Sequence, residues 1–155
     1  MIRSFIMRTS NFQFFKPELK RLIFSTNDNF SQKGPVNMNT EISVNIQRAK
    51  ENPSNRAYVS VTLCVGDKEN IKTPFYIEAE EGATFQWVTD AFSEGQIESL
   101  LNQNSVVLLL SYLRPIISTL TAASKFPSFN LPYIDLTSKI NIDPDSKANS
   151  EESKT

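Results

Sequence analysis

The stretch from residue 74 to residue 136 constrains the fold of this chain more than any other part of it. It begins with the alternating segment PFYIEAEEGATFQWV, continues with the apolar run LLNQNSVVLLLSYLRPIISTLTAAS, and ends with KFPSFNLPYIDL. A short strand, an apolar helix and an aromatic loop with prolines are therefore expected in series. In a chain of 155 residues, this order predicts exposed apolar surface rather than a catalytic centre.

The composition excludes several classes of protein. The chain has no histidine and a single cysteine, so it cannot build a Ser-His-Asp triad, an imidazole general base or a closed zinc site of soft ligands. A net charge of −1 lacks the basic balance of a nucleic-acid binder. Cys64 has no cysteine partner and no adjacent base, which favours a structural thiol in a reducing compartment. We expect no catalytic residue, metal or cofactor.

Two apolar stretches lack the features of membrane segments. Residues 1–11 are expected to form a flexible leader, in which Arg8 interrupts the apolar run far below the length of a signal-peptide core. Residues 106–123 contain Arg114 and Pro115 and fall short of the run of about 20 apolar residues that spans a bilayer. We therefore predict a cytoplasmic protein with no membrane insertion.

Alternation of apolar and polar residues predicts the strands. Residues 12–25 form a first strand, in which Pro17 requires a bulge or a sheet edge because proline donates no ladder hydrogen bond. Three later segments alternate with a period of two, as half-buried strands do, and short turns join them into an antiparallel meander. Their apolar positions are Ile42, Val44 and Ile46; Val59, Val61, Leu63 and Val65; and Phe75, Ile77 and Ala79.

The segment from residue 96 to residue 124 has helical character, with Ser93 as a plausible N-cap. Weak helix formers at residues 102–105 and the proline at position 115 predict a kink or a break. Residues 106–113 are apolar nearly all round, and such a helix must be covered on more than one side. A second subunit is the most economical cover. The predicted subunit-interface residues are Leu109, Leu110, Leu113 and Ile117.

These elements predict an α+β fold, in which a four-stranded antiparallel sheet is backed by one long, kinked helix. The domain is expected to extend over residues 12–140. Residues 141–155 are polar and are expected to form a disordered tail.

The aromatic loop at residues 126–134 is the first candidate site. Its rings either plug the end of the chain's own core or form an apolar groove that accepts extended, unfolded polypeptides, and an exposed patch of that kind is typical of binding sites. For the second alternative, the predicted client-binding residues include apolar positions of one strand. They are Ile42, Val44, Ile46, Phe126, Phe129, Leu131 and Tyr133.

Acidic residues at positions 78, 80 and 81 form the second candidate site. Glu78 and Glu80 share the outward face of a strand, whereas Glu81 is expected in a turn with Gly82. Nothing in the sequence predicts burial that would shift a carboxyl pKa, so general acid–base catalysis is disfavoured. A solvated face and a docking patch for a basic partner remain as alternatives.

Three motifs occur in the order strand, helix, loop. They are Glu78, Gly82 and Phe85 in the alternating segment; Tyr112 and Arg114 near the centre of the apolar helix; and Phe126, Pro127, Leu131 and Pro132 in the loop. In these motifs and their order, roughly residues 12–138 resemble the SecB family of bacterial export chaperones.

The resemblance implies a four-stranded sheet backed by a long helix and a homotetramer assembled as a dimer of dimers. It also implies ATP-independent holding of unfolded preproteins in apolar grooves. In the family, outward acidic residues on the first and fourth strands bind the basic zinc-binding tail of the translocase motor, which implies partner docking through Tyr76 and Glu78 here. The chain departs from this pattern at Arg21 and Ser25, which replace acidic residues, and Arg21 would repel the tail. The second helix is also short, at residues 135–140.

We interpret the chain as a cytosolic holdase that binds unfolded polypeptides, with a role in protein export. The second interpretation is an adaptor of the same fold dedicated to one client, such as an antitoxin. A small hydrolase or isomerase is a third alternative; it would need a buried carboxylate in a closed pocket, and the missing histidine disfavours it. A holdase binds many denatured proteins, an adaptor one or few, and an enzyme none.

Overall fold

The computed structural model describes residue 4 and residues 6–51, 54–69 and 72–136. The strands are β1 (Phe12–Phe14), β2 (Glu18–Thr26), β3 (Thr40–Arg48), β4 (Arg56–Val65) and β5 (Phe75–Trp87). A helical region follows, with α1 (Glu94–Ser99), a π-helical turn (Leu100–Asn104) and α2 (Ser105–Ala122). The predicted tail at 141–155 and the predicted short helix beyond residue 136 lie outside the described residues.

One antiparallel sheet of five strands contains β1 and β2 at one edge, then β5, β4 and β3. There are five strands because Pro17 divides the predicted first strand, and both parts pair with β5. The ladder register also shifts between Leu19 and Arg21. These features confirm that the proline lies at an irregular sheet edge, where its missing N–H removes no bond from a central strand.

The predicted meander of β3, β4 and β5 is confirmed by their pairing. The alternating apolar residues of β4 and β5 are buried on the side of the sheet that faces the helix, and the polar positions between them lie on the opposite face. Helix α2 packs over these two central strands. The two edges of the sheet are therefore less covered than its centre.

Strand β5 is longer than the sequence pattern predicts, and the expected turn at Gly82 is wrong. Gly82 lies inside the strand, opposite Ser60. A Cβ atom at this position would lie 2.0 Å from the hydroxyl oxygen of Tyr58. Glycine is therefore needed here because the Tyr58 side chain crosses the sheet directly above the backbone, not because the chain reverses.

The helical region confirms the predicted N-cap and corrects the predicted break. Ser93 and Gln96 form a capping box, in which each side chain accepts a hydrogen bond from the other residue's backbone N–H. The weak helix formers are accommodated in the π-helical turn, where Asn102 Nδ2 donates to the Glu98 carbonyl at 2.8 Å. Helix α2 continues through Pro115, which lies on the exposed side of the helix. Proline has no N–H to donate to the carbonyl of Ser111, and solvent can hydrogen-bond to this carbonyl instead.

Residues 94–122 together are long and apolar enough, by length and composition, to cross a membrane. The same test is passed by core helices of soluble proteins. In this chain, one side of α2 is buried against β4 and β5. This packing accounts for the apolar residues on that side of the helix.

Candidate binding groove

A groove of about 490 Å³ lies between two loops of the chain. One wall is the connection between β2 and β3, and it contributes Phe30, Val36 and Met38. The other wall is the segment after α2, with Phe126 and Phe129, and the start of β5 closes the groove at Phe75. None of the described residues that line the groove carries a charged side chain. An apolar, open groove of this kind fits the side chains of another polypeptide better than a small charged substrate.

Aromatic rings meet across this groove. The ring of Phe30 packs edge-on against that of Phe126, with centroids 5.9 Å apart. Phe75 and Phe129 make a similar edge contact at 6.0 Å. Such edge-to-face contacts are favourable between aromatic rings, so further aromatic side chains can add to the cluster in the same way.

Helix α2 holds the aromatic segment in place through polar bonds. The backbone N–H of Phe129 donates to Thr121 Oγ1 at 2.7 Å. The guanidinium of Arg114 donates to the carbonyls of Leu131 and Pro132. Arg114, which the sequence singles out together with Tyr112, therefore satisfies backbone acceptors in a segment that has no regular secondary structure of its own.

The loop residues predicted to bind clients occupy three different environments. Phe126 and Phe129 line the groove and are half-buried. Leu131 is buried in the core, whereas Tyr133 is 91% exposed. The loop therefore both plugs the core, through Leu131, and presents rings at the surface. Client binding by these residues stays a prediction.

The predicted client-binding residues of β3 lie on the helix-facing side of the sheet. Ile42, Val44 and Ile46 are opposite the buried residues of β4 and are themselves half-buried, because α2 does not cover this edge. Met38, in the wall of the groove, is two residues before β3 begins. The groove therefore leads onto an apolar sheet edge.

The four residues predicted for a subunit interface lie in the interior of this chain. Leu109, Leu110, Leu113 and Ile117 are buried between α2 and the sheet. The side of α2 that faces away from the sheet exposes Val107 and Tyr112. The sequence pattern did not distinguish the two sides because both are apolar between residues 106 and 113.

On the outer face of the sheet, the charge of Glu78 is compensated within the chain, and Glu80 lies half-buried on the same face. Glu78 Oε1 lies 3.1 Å from Arg21 Nε, and its Oε2 accepts a hydrogen bond from the Tyr76 hydroxyl at 2.9 Å. Burial, together with this bond to a carboxylate, raises the pKa of Tyr76 above its ordinary range. The side chain of Glu78 is only 18% exposed, so little of its charge faces solvent.

Cys64 lies beside this cluster, on the Ser/Thr side of β4 as the sequence predicts. Its burial raises the pKa of the thiol. A raised pKa lowers the thiolate fraction at neutral pH and therefore the reactivity of the sulfur. This environment agrees with a structural thiol.

Sequence reasoning missed the environment of Glu81. Its side chain is on the helix-facing side of β5, opposite Leu19 and Val61. The residue is 3% exposed, and Oε2 has no hydrogen-bond partner among the described residues. Loss of hydration raises the pKa of this carboxyl. The alternation from Phe75 would have placed Glu81 inward if the strand had been continued past Gly82.

This buried carboxylate is the group that the hydrolase or isomerase alternative requires. It does not line the apolar groove. Among the described residues, no group of three or more His, Cys, Asp or Glu side chains is arranged to hold a metal ion. The groove, rather than Glu81, is therefore the candidate functional site.

Comparison with known proteins agrees with the fold. The sequence pattern of the family described as preprotein translocase subunit SecB matches residues 21–139. An uncharacterized protein of Methanocaldococcus jannaschii is 27% identical over 139 residues, which cover 88% of this chain and 88% of that protein.

Two solved structures are also similar. One is the Mycobacterium tuberculosis SecB-like chaperone in complex with a ChAD peptide from the HigA1 antitoxin, with a TM-score of 0.59 and 14% identity over 80% of this chain and 88% of that chain. The other, a Streptococcus agalactiae protein of unknown function, has a TM-score of 0.47 and 13% identity over 81% of this chain and 100% of that chain. The first supports the shared fold, and the second is too distant to argue from. Because the family pattern covers most of the sequence and the sheet and helix have the expected arrangement, this chain belongs to the SecB family.

Proposed function

We propose that this protein is an ATP-independent holdase that binds unfolded polypeptides in the cytoplasm. The observation that carries the proposal is the uncharged aromatic groove between the β2–β3 connection and the segment after α2. It continues into the half-buried residues of β3, so an extended chain has apolar contacts along more than one residue. Membership of a family of chaperones supports the same role.

Burial of client side chains supplies the free energy of this binding. An aromatic side chain removes roughly 150–250 Å² from water, which at about 25 cal/mol per Å² corresponds to about 4–6 kcal/mol before the cost of ordering the client. Because association itself costs about 4–15 kcal/mol, contacts beyond two rings, such as those along β3, are needed to reach micromolar affinity. Such binding depends on apolar area and not on one particular sequence, as a holdase requires.

A dedicated adaptor is the second candidate function. It is supported by the similar Mycobacterium tuberculosis structure, in which a SecB-like chaperone holds a peptide of an antitoxin. An adaptor would use the same groove for one client. The two functions therefore differ in the number of clients and not in the site.

We further propose a homotetramer, a dimer of dimers, in which the exposed side of α2 forms part of the contact between subunits. On this side of the helix, Val107 is 51% exposed and Tyr112 is 41% exposed. Because the sheet already covers the other side of α2, a second subunit would supply the further cover that the apolar sequence requires.

Suppression of aggregation tests the function. A panel of chemically denatured proteins with unrelated sequences is diluted into buffer with and without this protein, and light scattering is followed. A holdase suppresses the aggregation of most of the panel at stoichiometric ratios without ATP. Suppression of none of them, together with tight binding of one antitoxin peptide, would favour the adaptor; binding of neither would contradict both functions.

A further inference from the structure

The two walls of the groove are fastened to each other at its mouth. We call the connection between β2 and β3, residues 27–39, the strap. Lys125, from the opposite wall, donates to the carbonyl of Asp28 at 3.0 Å and lies 3.5 Å from its carboxylate. The Phe30 ring packs edge-on on Phe126, and the Lys125 ammonium lies 5.3 Å from the centre of the Phe126 ring.

Among the described residues, backbone hydrogen bonds to other elements anchor the strap near its two ends. The N–H of Asn27 donates to the Pro74 carbonyl at 2.8 Å, and the Asn39 carbonyl accepts from Gly66 at 2.8 Å. Between residues 29 and 38, the hydrogen bonds of the described chain are local, as from Gln32 to Pro35. The middle of the strap is therefore held over the groove by side-chain contacts, which open more readily than a strand ladder.

We propose that the strap is an autoinhibitory latch: Phe30 occupies the edge-on position against Phe126 that an aromatic side chain of an unfolded client takes when it binds. The inference rests on the proposed holdase function and names the step that precedes binding. The Asp28–Lys125 contact and the Phe30–Phe126 contact break, the strap moves outward on its two anchored ends, and the client ring replaces Phe30.

The chemistry of the groove selects this occupant. Its lining carries no charge, and the two charged groups at its mouth are paired with each other. An aromatic ring can reproduce the contact that Phe30 makes, whereas a charged side chain would lose its hydration without gaining a partner. Aromatic residues in an extended, uncharged segment are therefore the preferred ligand.

A closed latch lowers the apparent affinity by the fraction of molecules that are open. The Asp28–Lys125 pair is exposed, so salt screens it and favours opening. Binding of an uncharged client should therefore become tighter between low and moderate ionic strength. A surface that attracts its client by charge shows the opposite dependence.

The test uses a fluorescent, uncharged peptide that contains two phenylalanines, with stopped-flow measurement of its association. Lys125→Gln removes the ion pair and the ring contact at the mouth, and we expect the association rate to rise by about two- to five-fold, the size of effect an exposed ion pair has. The rise with salt should also disappear. Lys20→Gln is a matched control, since Lys20 pairs with Glu18 at 2.8 Å and lies 5.9 Å from the ring of Tyr58, on the opposite face of the sheet.

The outcomes separate the latch from the holdase function. A wild-type protein that binds the peptide, with Lys125→Gln and Lys20→Gln giving equal rates, would overturn the latch and leave the function standing. A slower Lys125→Gln variant would overturn it in the same way. A wild-type protein that binds neither this peptide nor a denatured protein would contradict the proposed function, and the latch with it.

Discussion

Arg21 and Glu78 form an ion pair across neighbouring strands of the exposed sheet face, with 3.1 Å between Nε and Oε1. The resemblance to the SecB family implies acidic residues on these two strands that dock a basic partner. Here Arg21 pairs with Glu78, whose second carboxylate oxygen accepts a hydrogen bond from the Tyr76 hydroxyl, and Glu80 lies on the same face. The negative charge of Glu78 is therefore largely balanced by a residue of the same chain.

We accordingly predict weak or absent binding to the C-terminal zinc tail of a translocase motor. Exposed charge pairs are worth about 0–1 kcal/mol each, so the loss of two acids and the gain of one positive charge should weaken docking by about tenfold or more. The double variant Arg21→Asp, Ser25→Glu should restore part of the binding in calorimetry. Submicromolar affinity of the wild-type protein would show that this acidic patch does not select the tail.

The groove prediction concerns Phe126 and Phe129. Their simultaneous change to Ser removes two rings from the groove wall, and suppression of client aggregation should fall by about tenfold or more, since each ring contributes more than 1 kcal/mol. The matched control changes Phe14 and Phe15 to Ser, because these two rings are also exposed but lie at the end of β1 and in the residue after it, away from the groove. Unchanged holding with unchanged circular dichroism would mean that the loop only closes the core.

The assembly prediction compares the two sides of α2. Val107→Asp places a charge on the exposed side and should convert a tetramer to a smaller species in light scattering, with little change in the far-ultraviolet circular dichroism. Leu113→Asp places a charge in the interior, which costs several kcal/mol, and should lower the melting temperature or prevent folding. A wild-type protein that is monomeric at micromolar concentration would contradict the proposed assembly.

The stability prediction concerns Glu81, whose carboxyl pKa is raised by burial. The folded state binds the proton more tightly than the unfolded chain does, so the free energy of unfolding falls as pH rises from the ordinary glutamate pKa through the raised pKa, and stays at the lower level above it. Glu81→Met removes the buried carboxylate, whose Oε2 has no hydrogen-bond partner among the described residues, and should raise stability at neutral pH by about 1–3 kcal/mol.

Urea unfolding at a series of pH values measures this effect. The fall in stability should be smaller for Glu81→Met than for the wild-type protein, and it should persist in Glu80→Gln, which changes the neighbouring residue on the outer face. Equal pH dependence in the wild-type protein and Glu81→Met would show that another group is responsible. A destabilised Glu81→Met variant would show that the carboxylate has a partner in the folded protein.

The sequence by itself determined most of the secondary structure and the family. Period-two alternation located β3, β4 and the first half of β5, because each strand has one buried face and one wet face. Pro17 located the irregular edge of the first strand, since its missing N–H is a property of the residue and not of its surroundings. The sequence also identified Phe126 and Phe129 as members of an aromatic loop. Aromatic residues close to prolines fit neither the period of a strand nor that of a helix.

The tertiary structure decided which of several compatible environments each residue occupies. Gly82 fits both a turn and the space beneath a tyrosine ring, and only the sheet register shows the second. The sequence pattern does not distinguish the two apolar sides of α2, whereas the structure shows that the sheet buries the side with Leu109 and Leu113. The groove itself joins Phe30 to Phe126, two residues far apart in the chain, and contacts of that kind arise from packing, which local patterns do not encode.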